Sequence, residues 1–312
     1  MIDPTCRKEL QDLASRPVLF DEPMARHASM GVGGPVDGLV RPADREELKG
    51  IVTFLREREI VFLPVGNCSN LIVRDGGFRG VLLSLEGLHR CGTAEESTDG
   101  AIIGVEAGVP LSRAVEFAAG EGLSGLEFCA GIPGSIGGGI KMNAGAWGKE
   151  LKDVVTSIAV LNGQGCERSM PRDELAFEYR NLPLTEGSII LGAEIRLQRD
   201  LPREIRARVR EYLGRRRDRH PLEYRSAGSI FKNPRDNPAG RLIEAAGLKG
   251  FTIGGAKISE KHANFIVNMG DACARDVTDL IERVQRRIYD EQGVVLQPEV
   301  KIIGDEGFQT DH

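Results

Sequence analysis

Gly131-Ile132-Pro133-Gly134-Ser135-Ile136-Gly137-Gly138-Gly139 is the stretch that decides how this chain is read. Glycines let a backbone come close to an anionic group and present their amides as a nest of donors. Taken alone, such a stretch is as readily a tight turn. A second loop, Gly66-Asn67-Cys68-Ser69-Asn70, stands upstream of it. Together the two loops can cradle a long diphosphate cofactor. Neither is a familiar nucleotide fingerprint: no G-x-G-x-x-G follows a strand, and Ile140 separates Gly139 from Lys141, which breaks the phosphate-loop pattern.

The flanking sequence sets the loops at the ends of buried elements. Asp44 and Glu47 resemble a capping box, and Leu48, Ile51, Val52 and Leu55 follow on one helical face. Ile60-Val61-Phe62-Leu63 then reads as a strand running into the first loop, and Gly80-Val81-Leu82-Leu83 resumes the extended apolar pattern. Residues 101–107 read as a strand, followed by Pro110 and a helix burying Leu111, Ala114, Val115 and Ala118. Beyond the second loop, 154–161 and 188–197 are strand-like, separated by the turn Asn162-Gly163-Gln164-Gly165. Pro202 opens a helix with an apolar stripe of Ile205, Val209, Tyr212 and Leu213, so the basic stretch 208–219 reads as its solvated face. A last long helix carries Val277, Leu280, Ile281, Val284 and Ile288, and 294–303 returns as a strand.

At 312 residues the chain exceeds the usual reach of one core, so several packed subdomains are expected. The net charge of −5 disfavours nucleic-acid binding, and an anionic substrate must be held by local cations and amides. Cys6, Cys68, Cys91, Cys129, Cys166 and Cys273 form no close C-x-x-C pair, which speaks against a zinc site and a disulfide framework and for a reducing compartment. The N-terminus has no apolar signal region and no run approaches a membrane span, so a cytoplasmic protein is expected. H-E-x-x-H and G-x-S-x-G are both missing, and the five histidines are scattered. No metal is expected.

Reactive groups beside turn formers recur in Gly228-Ser229-Ile230-Phe231-Lys232-Asn233-Pro234 and in Gln297-Pro298-Glu299-Val300-Lys301. These segments, with Ser29 to Gly34, Gly66 to Asp75, Gly125 to Gly148, Tyr179-Arg180-Asn181, Ser226 to Pro234, Ala239 to Gly247, Ala256 to Asn268 and Gln297 to Gly304, resemble the UDP-N-acetylenolpyruvoylglucosamine reductase family across most of the chain. The resemblance implies an α+β protein: a vanillyl-alcohol-oxidase (PCMH-type) FAD-binding fold in two subdomains, 1–84 and 85–200, and a C-terminal α+β substrate-binding domain, 201–312. It implies noncovalent FAD, NADPH as co-substrate, and reduction of UDP-N-acetylglucosamine enolpyruvate to UDP-N-acetylmuramate in peptidoglycan precursor synthesis. The expected molecule is a monomer without nucleic-acid or membrane partners.

Carried over by motif, Arg180 would bind the substrate carboxylate, Ser229 would donate a proton and Glu299 would assist. Gly66, Asn67, Cys68, Ser69, Asn70, Gly131, Gly134, Ser135, Gly137, Gly138 and Lys301 would hold FAD, and Arg225 and Asn233 would contact the nucleotide sugar. The chemistry agrees with this assignment, because hydride addition to an enolpyruvyl ether leaves enolate character beside a carboxylate, which calls for a cation and a proton donor. His262 and Asn264 are read as structural. The chain departs from the family pattern at Cys68, where glycine is common, and in the short interval from Arg180 to Ser229, which matches a form lacking a substrate-covering tyrosine loop. Two rivals stand beside this reading: an FAD-dependent oxidase of the same fold, and a flavin-binding subunit without catalysis.

Overall fold

The computed structural model describes residues 2–305. Helix α1 (Pro4–Leu13) and helix α2 (Arg45–Glu57) pack together beside a first sheet. Its strands run in the order Leu19–Pro23, Pro35–Val40, Phe78–Ser84, Phe62–Val65, the first pair antiparallel and the others parallel. Asp44 caps α2 through the Glu47 amide at 2.9 Å. The Glu47 carboxylate does not close the box; it accepts from the amides of Ala43 and Ser15 and pins the preceding chain. Leu48, Ile51, Val52 and Leu55 are buried as their spacing requires. The expected strand at 60–63 is shifted to Phe62–Val65. Glu59 turns at φ +53° and the Ile60 amide donates back to the Leu55 carbonyl, so the first residues after the helix serve to end it.

The second sheet is antiparallel, in the order Glu167–Pro171, Val155–Leu161, Ile189–Arg199, Gly100–Glu106, Cys91–Ser97. Helix α3 (Leu111–Gly120) and the short helix α4 (Ile136–Lys141) cover it. One apolar core runs from Leu48 and Ile51 through Ile103 and Val105 to Ile158 and Ile195, so the first two lobes share their interior.

Helix α5 (Pro202–Arg219) packs on α3 and the residues around Glu127. Of the expected stripe Ile205 is buried and Val209 and Tyr212 pack against the core, but Leu213 is 40% exposed, and Arg216 is the other buried position. Arg208, on the basic stretch read as solvated, donates Nε and Nη2 to buried Glu127 at 2.9 and 2.8 Å and so fastens the helix down.

The C-terminal part folds as a sheet in the order Arg225–Ser229, Phe265–Asn268, Ala256–Ile258, Thr252–Ile253, against helix α6 (Ala239–Ala245) and helix α7 (Ala274–Gln292). Its core takes in Met30, Val32 and Ile72 from the first lobe. The strand expected at 294–303 shrinks to Lys301–Ile303, because Pro298 has no amide to give a ladder and Val295 lies at the surface, 69% exposed. That short strand pairs in parallel with Leu71–Val73 immediately after the first glycine loop.

Candidate active site

Each glycine loop is shaped by the other. A Cβ on Gly66 would lie 2.3 Å from Ser135 Oγ, and one on Gly134, at φ +132°, would lie 3.2 Å from Ser69 Oγ. Ser69 Oγ donates to the Pro133 carbonyl at 3.2 Å. Between the loops opens a cleft of about 430 Å³ bordered by Asn67, Ser69, Gly131 and Gly134, with Ser29 and Ser112 also at its walls. Hydroxyls, small residues and loop backbone suit a diphosphate, which needs close backbone approach and donors without a dedicated cation. A noncovalent FAD therefore fits these residues.

Other residues expected at the cofactor also hold the fold together. Ser135 is 2% exposed and caps α4 through the Gly138 amide. The Gly137 amide donates to the Ala107 carbonyl at 2.8 Å, so it is spent on the fold. Cys68 adopts φ +48°, the left-handed conformation where glycine is at ease, and burial pushes its thiol up to about 11. Asn70 reaches away from the cleft: its Nδ2 donates to the Glu299 carbonyl at 3.0 Å, and its own carbonyl accepts from the Lys301 amide at 3.0 Å. The first loop is thus hydrogen-bonded to the segment that carries Glu299.

Arg180 and Glu299, 119 positions apart in sequence, come together: Arg180 Nε stands 3.2 Å from Glu299 Oε1. The N–H is not aimed along that line, so Nε is a buried donor without an acceptor. Nη2 donates to the Gly145 carbonyl at 3.3 Å, and the guanidinium lies 5.3 Å from the Tyr179 ring centre. Burial raises the Glu299 pKa, and the charges of Arg180 and Lys232 only partly oppose the rise. Ser229 ends the strand Arg225–Ser229, and the next residue, Ile230, accepts the Glu299 amide at 2.7 Å. Lys141, at the end of α4, and Lys301 are both exposed residues whose pKa values partial desolvation lowers, and the charge of Lys301 lowers that of Lys141 further.

Arg225 is not in this cluster. Its guanidinium donates to the Ala28 carbonyl at 2.9 Å and, at longer range, to those of Ala25 and Ser29, cross-linking the N-terminal loop. Asn233 uses its Oδ1 to accept the Ala239 amide at 3.0 Å, while its own amide meets Tyr179 Oη at 3.4 Å. Asn264 is structural as expected. It is 3% exposed and its side chain bonds both the amide and the carbonyl of Phe231, fixing the chain just after Ser229.

Several residues escaped the sequence reading. Arg216 is 8% exposed and donates to the Ala130 carbonyl at 2.8 Å, against Gly131, where a Cβ would meet its Cδ at 2.7 Å. Its register was visible, since 216 continues the 205, 209, 212 spacing, but its charge suggested solvent. Asn143, fully buried at φ +40°, and Asp75, whose carboxylate accepts the amides of Ala274 and Arg275, carried no such signal. Among the described residues no group of three or more His, Cys, Asp and Glu could hold a metal, and no helix is long and apolar enough to cross a membrane.

Comparison with known proteins bears on this site directly. A family model described as the UDP-N-acetylenolpyruvoylglucosamine reductase C-terminal domain matches residues 220–303, and one described as an FAD binding domain matches 36–169. The UDP-N-acetylenolpyruvoylglucosamine reductase of Syntrophus aciditrophicus is 51% identical over 301 residues, covering 96% of this chain and 96% of the relative. That of Caldanaerobacter subterraneus is 44% identical, covering 92% and 93%. The crystal structure of the reductase (MurB) from Thermus caldophilus superposes with a TM-score of 0.77 at 34% identity, covering 92% of this chain and 98% of that one.

Proposed function

The chain belongs to the UDP-N-acetylenolpyruvoylglucosamine reductase family and is an FAD-binding oxidoreductase of peptidoglycan-precursor synthesis; from that premise we propose that it uses NADPH to reduce UDP-N-acetylglucosamine enolpyruvate to UDP-N-acetylmuramate. The observation that carries the reading to named residues is the half-buried approach of Arg180 to Glu299, with Ser229 tied to the same place through Ile230. Asn67, Ser69, Gly131 and Gly134, with Ser29 and Ser112, would hold FAD. FAD held there, once reduced by NADPH, would supply the hydride for the outer carbon of the enolpyruvyl double bond.

The residues then deal with what that addition leaves behind. Electron density accumulates on the inner carbon and its carboxylate. Arg180, with a buried Nε–H awaiting an acceptor, binds that carboxylate and stabilises the charge. The Ser229 hydroxyl gives its proton to the inner carbon. Serine is a weak acid in water and becomes competent only toward a strongly basic carbon centre. Glu299, whose raised pKa favours the protonated form, backs this step, and Lys232 adds positive charge nearby. Asn233 stands on the loop that meets Tyr179 and contacts the nucleotide sugar. Arg225, occupied by three carbonyls, is left out of this reading.

The division of labour follows the lobes in outline: 1–84 and 85–200 hold the cofactor and 201–312 presents substrate groups, joined by Arg180 from the second lobe. A cytoplasmic, monomeric enzyme belongs to the same reading, and the free cysteines suit a reducing compartment. The test is an anaerobic visible spectrum of the FAD-loaded protein. Bleaching by NADPH followed by recovery with the enolpyruvyl nucleotide is expected. Recovery with oxygen alone would move the chain to the oxidases, and failure to bind FAD would remove the cofactor assignment.

A further inference from the structure

Arg180 sits in an awkward turn. Glu178 and Asn181 close a two-residue bend, the Glu178 amide donating to the Asn181 carbonyl at 2.8 Å, and Arg180 takes φ +56°. A turn that needs positive φ at its third residue usually places glycine or asparagine there. An arginine persists in that conformation only where its surroundings over-determine it.

Those surroundings come from the end of α4. Asn143 is fully buried, and its Nδ2 donates to the Glu178 carbonyl at 3.0 Å and to Glu150 Oε2 at 3.0 Å, while its Oδ1 accepts the Lys152 amide at 3.1 Å. Lys141 Nζ donates to Asn181 Oδ1 at 3.2 Å and to the Leu182 carbonyl at 2.7 Å, and the Leu182 amide returns to the Lys141 carbonyl at 2.8 Å. Asn181 Nδ2 completes the cage on Glu178 Oε2 at 3.1 Å. The turn is held at one end by the last residue of α4 and at the other by Asn143 just beyond it, and the helix's other end, capped by Ser135, abuts the glycine loops.

We infer that Asn143 is a positioning residue for Arg180: its buried amide holds the Glu178 carbonyl, keeps the turn in its left-handed form and so holds the guanidinium beside Glu299 with its Nε–H open to the substrate carboxylate. The inference rests on the role proposed above for Arg180. A misplacement of about 1 Å costs on the order of 10²-fold in rate, so the loss appears in one half-reaction.

The experiment is anaerobic stopped-flow on the FAD-loaded protein. Asn143→Ala is expected to slow substrate-driven flavin reoxidation roughly 10- to 100-fold while flavin reduction by NADPH stays unchanged. Arg180→Ala slows the same step, and the double variant is no slower than Arg180→Ala, because a residue acting through Arg180 has nothing left to act on. Multiplied losses in the double variant would overturn the proposal. If Asn143→Ala does not retain FAD, Asn143→Asp keeps the side-chain shape and the acceptor for the Lys152 amide and removes the donor to the Glu178 carbonyl. Unimpaired reoxidation there overturns the proposal as well. Unimpaired reoxidation in Arg180→Ala would instead remove the role of Arg180 and leave the cage without a catalytic purpose.

Discussion

Glu299 is held from both sides of the molecule: its backbone carbonyl accepts Asn70 Nδ2 at 3.0 Å, and Asn70 belongs to the first glycine loop. The first glycine loop and the acid beside Arg180 are therefore one hydrogen-bonded unit, set by a residue that the motif alone would assign to the ligand.

The raised pKa of Glu299 gives a pH prediction. A carboxyl shifted upward by burial keeps its proton to higher pH than a free glutamate, and loses it as pH rises through the shifted value. If the protonated form supports the step, reoxidation by substrate slows as pH rises through that range. Glu299→Gln is expected to be slower at low pH and to lose the dependence. A Glu299→Gln profile that keeps the wild-type inflection would assign it to another group.

Ser229→Ala separates the two half-reactions. Flavin reduction should proceed nearly as in the parent, while reoxidation by the enolpyruvyl nucleotide falls by roughly 10²- to 10⁴-fold. Equal losses in both phases, read by single-turnover absorbance, would count against proton donation by this hydroxyl.

Asp75 bears on stability and not on chemistry. Its two carboxylate oxygens accept the first amides of α7, from Ala274 at 2.9 Å and Arg275 at 2.8 Å, joining the first lobe to the longest helix of the C-terminal part. Asp75→Ala should cost about 0.5–2 kcal/mol, the usual range for a lost helix cap. Denaturant unfolding measures it, and an unchanged midpoint would show that water replaces the cap without loss.

Cys68 should be a poor nucleophile at neutral pH. With its thiol pushed up to about 11 by burial, little thiolate exists at pH 8, so alkylation should lag behind that of exposed Cys166. Cys68→Gly, which relieves the φ of +48°, should retain FAD binding. Mass-resolved labelling at pH 8 in which Cys68 reacts first would contradict this account.

Short-range regularities are what could be read from the chain alone. The helical spacing of Leu48, Ile51, Val52 and Leu55, and of Val277, Leu280, Ile281, Val284 and Ile288, placed α2 and α7 with their buried faces. The two glycine loops announced a diphosphate cradle because close backbone approach needs glycine wherever it occurs. Motif resemblance supplied the family and the trio of Arg180, Ser229 and Glu299. Tertiary structure alone decided what depends on residues distant in the chain. Lys301–Ile303 is too short to show a period, and its strand exists because Leu71–Val73 offers an edge. Asn70 was expected at the cofactor, Arg216 on a solvated face, and Asn143 carried no signal, since a side chain's polarity does not disclose which carbonyl it will find. Buried hydrogen bonds are made across the fold, so the partners that aim Arg180 and hold Glu299 are written in the packing and not in any local pattern.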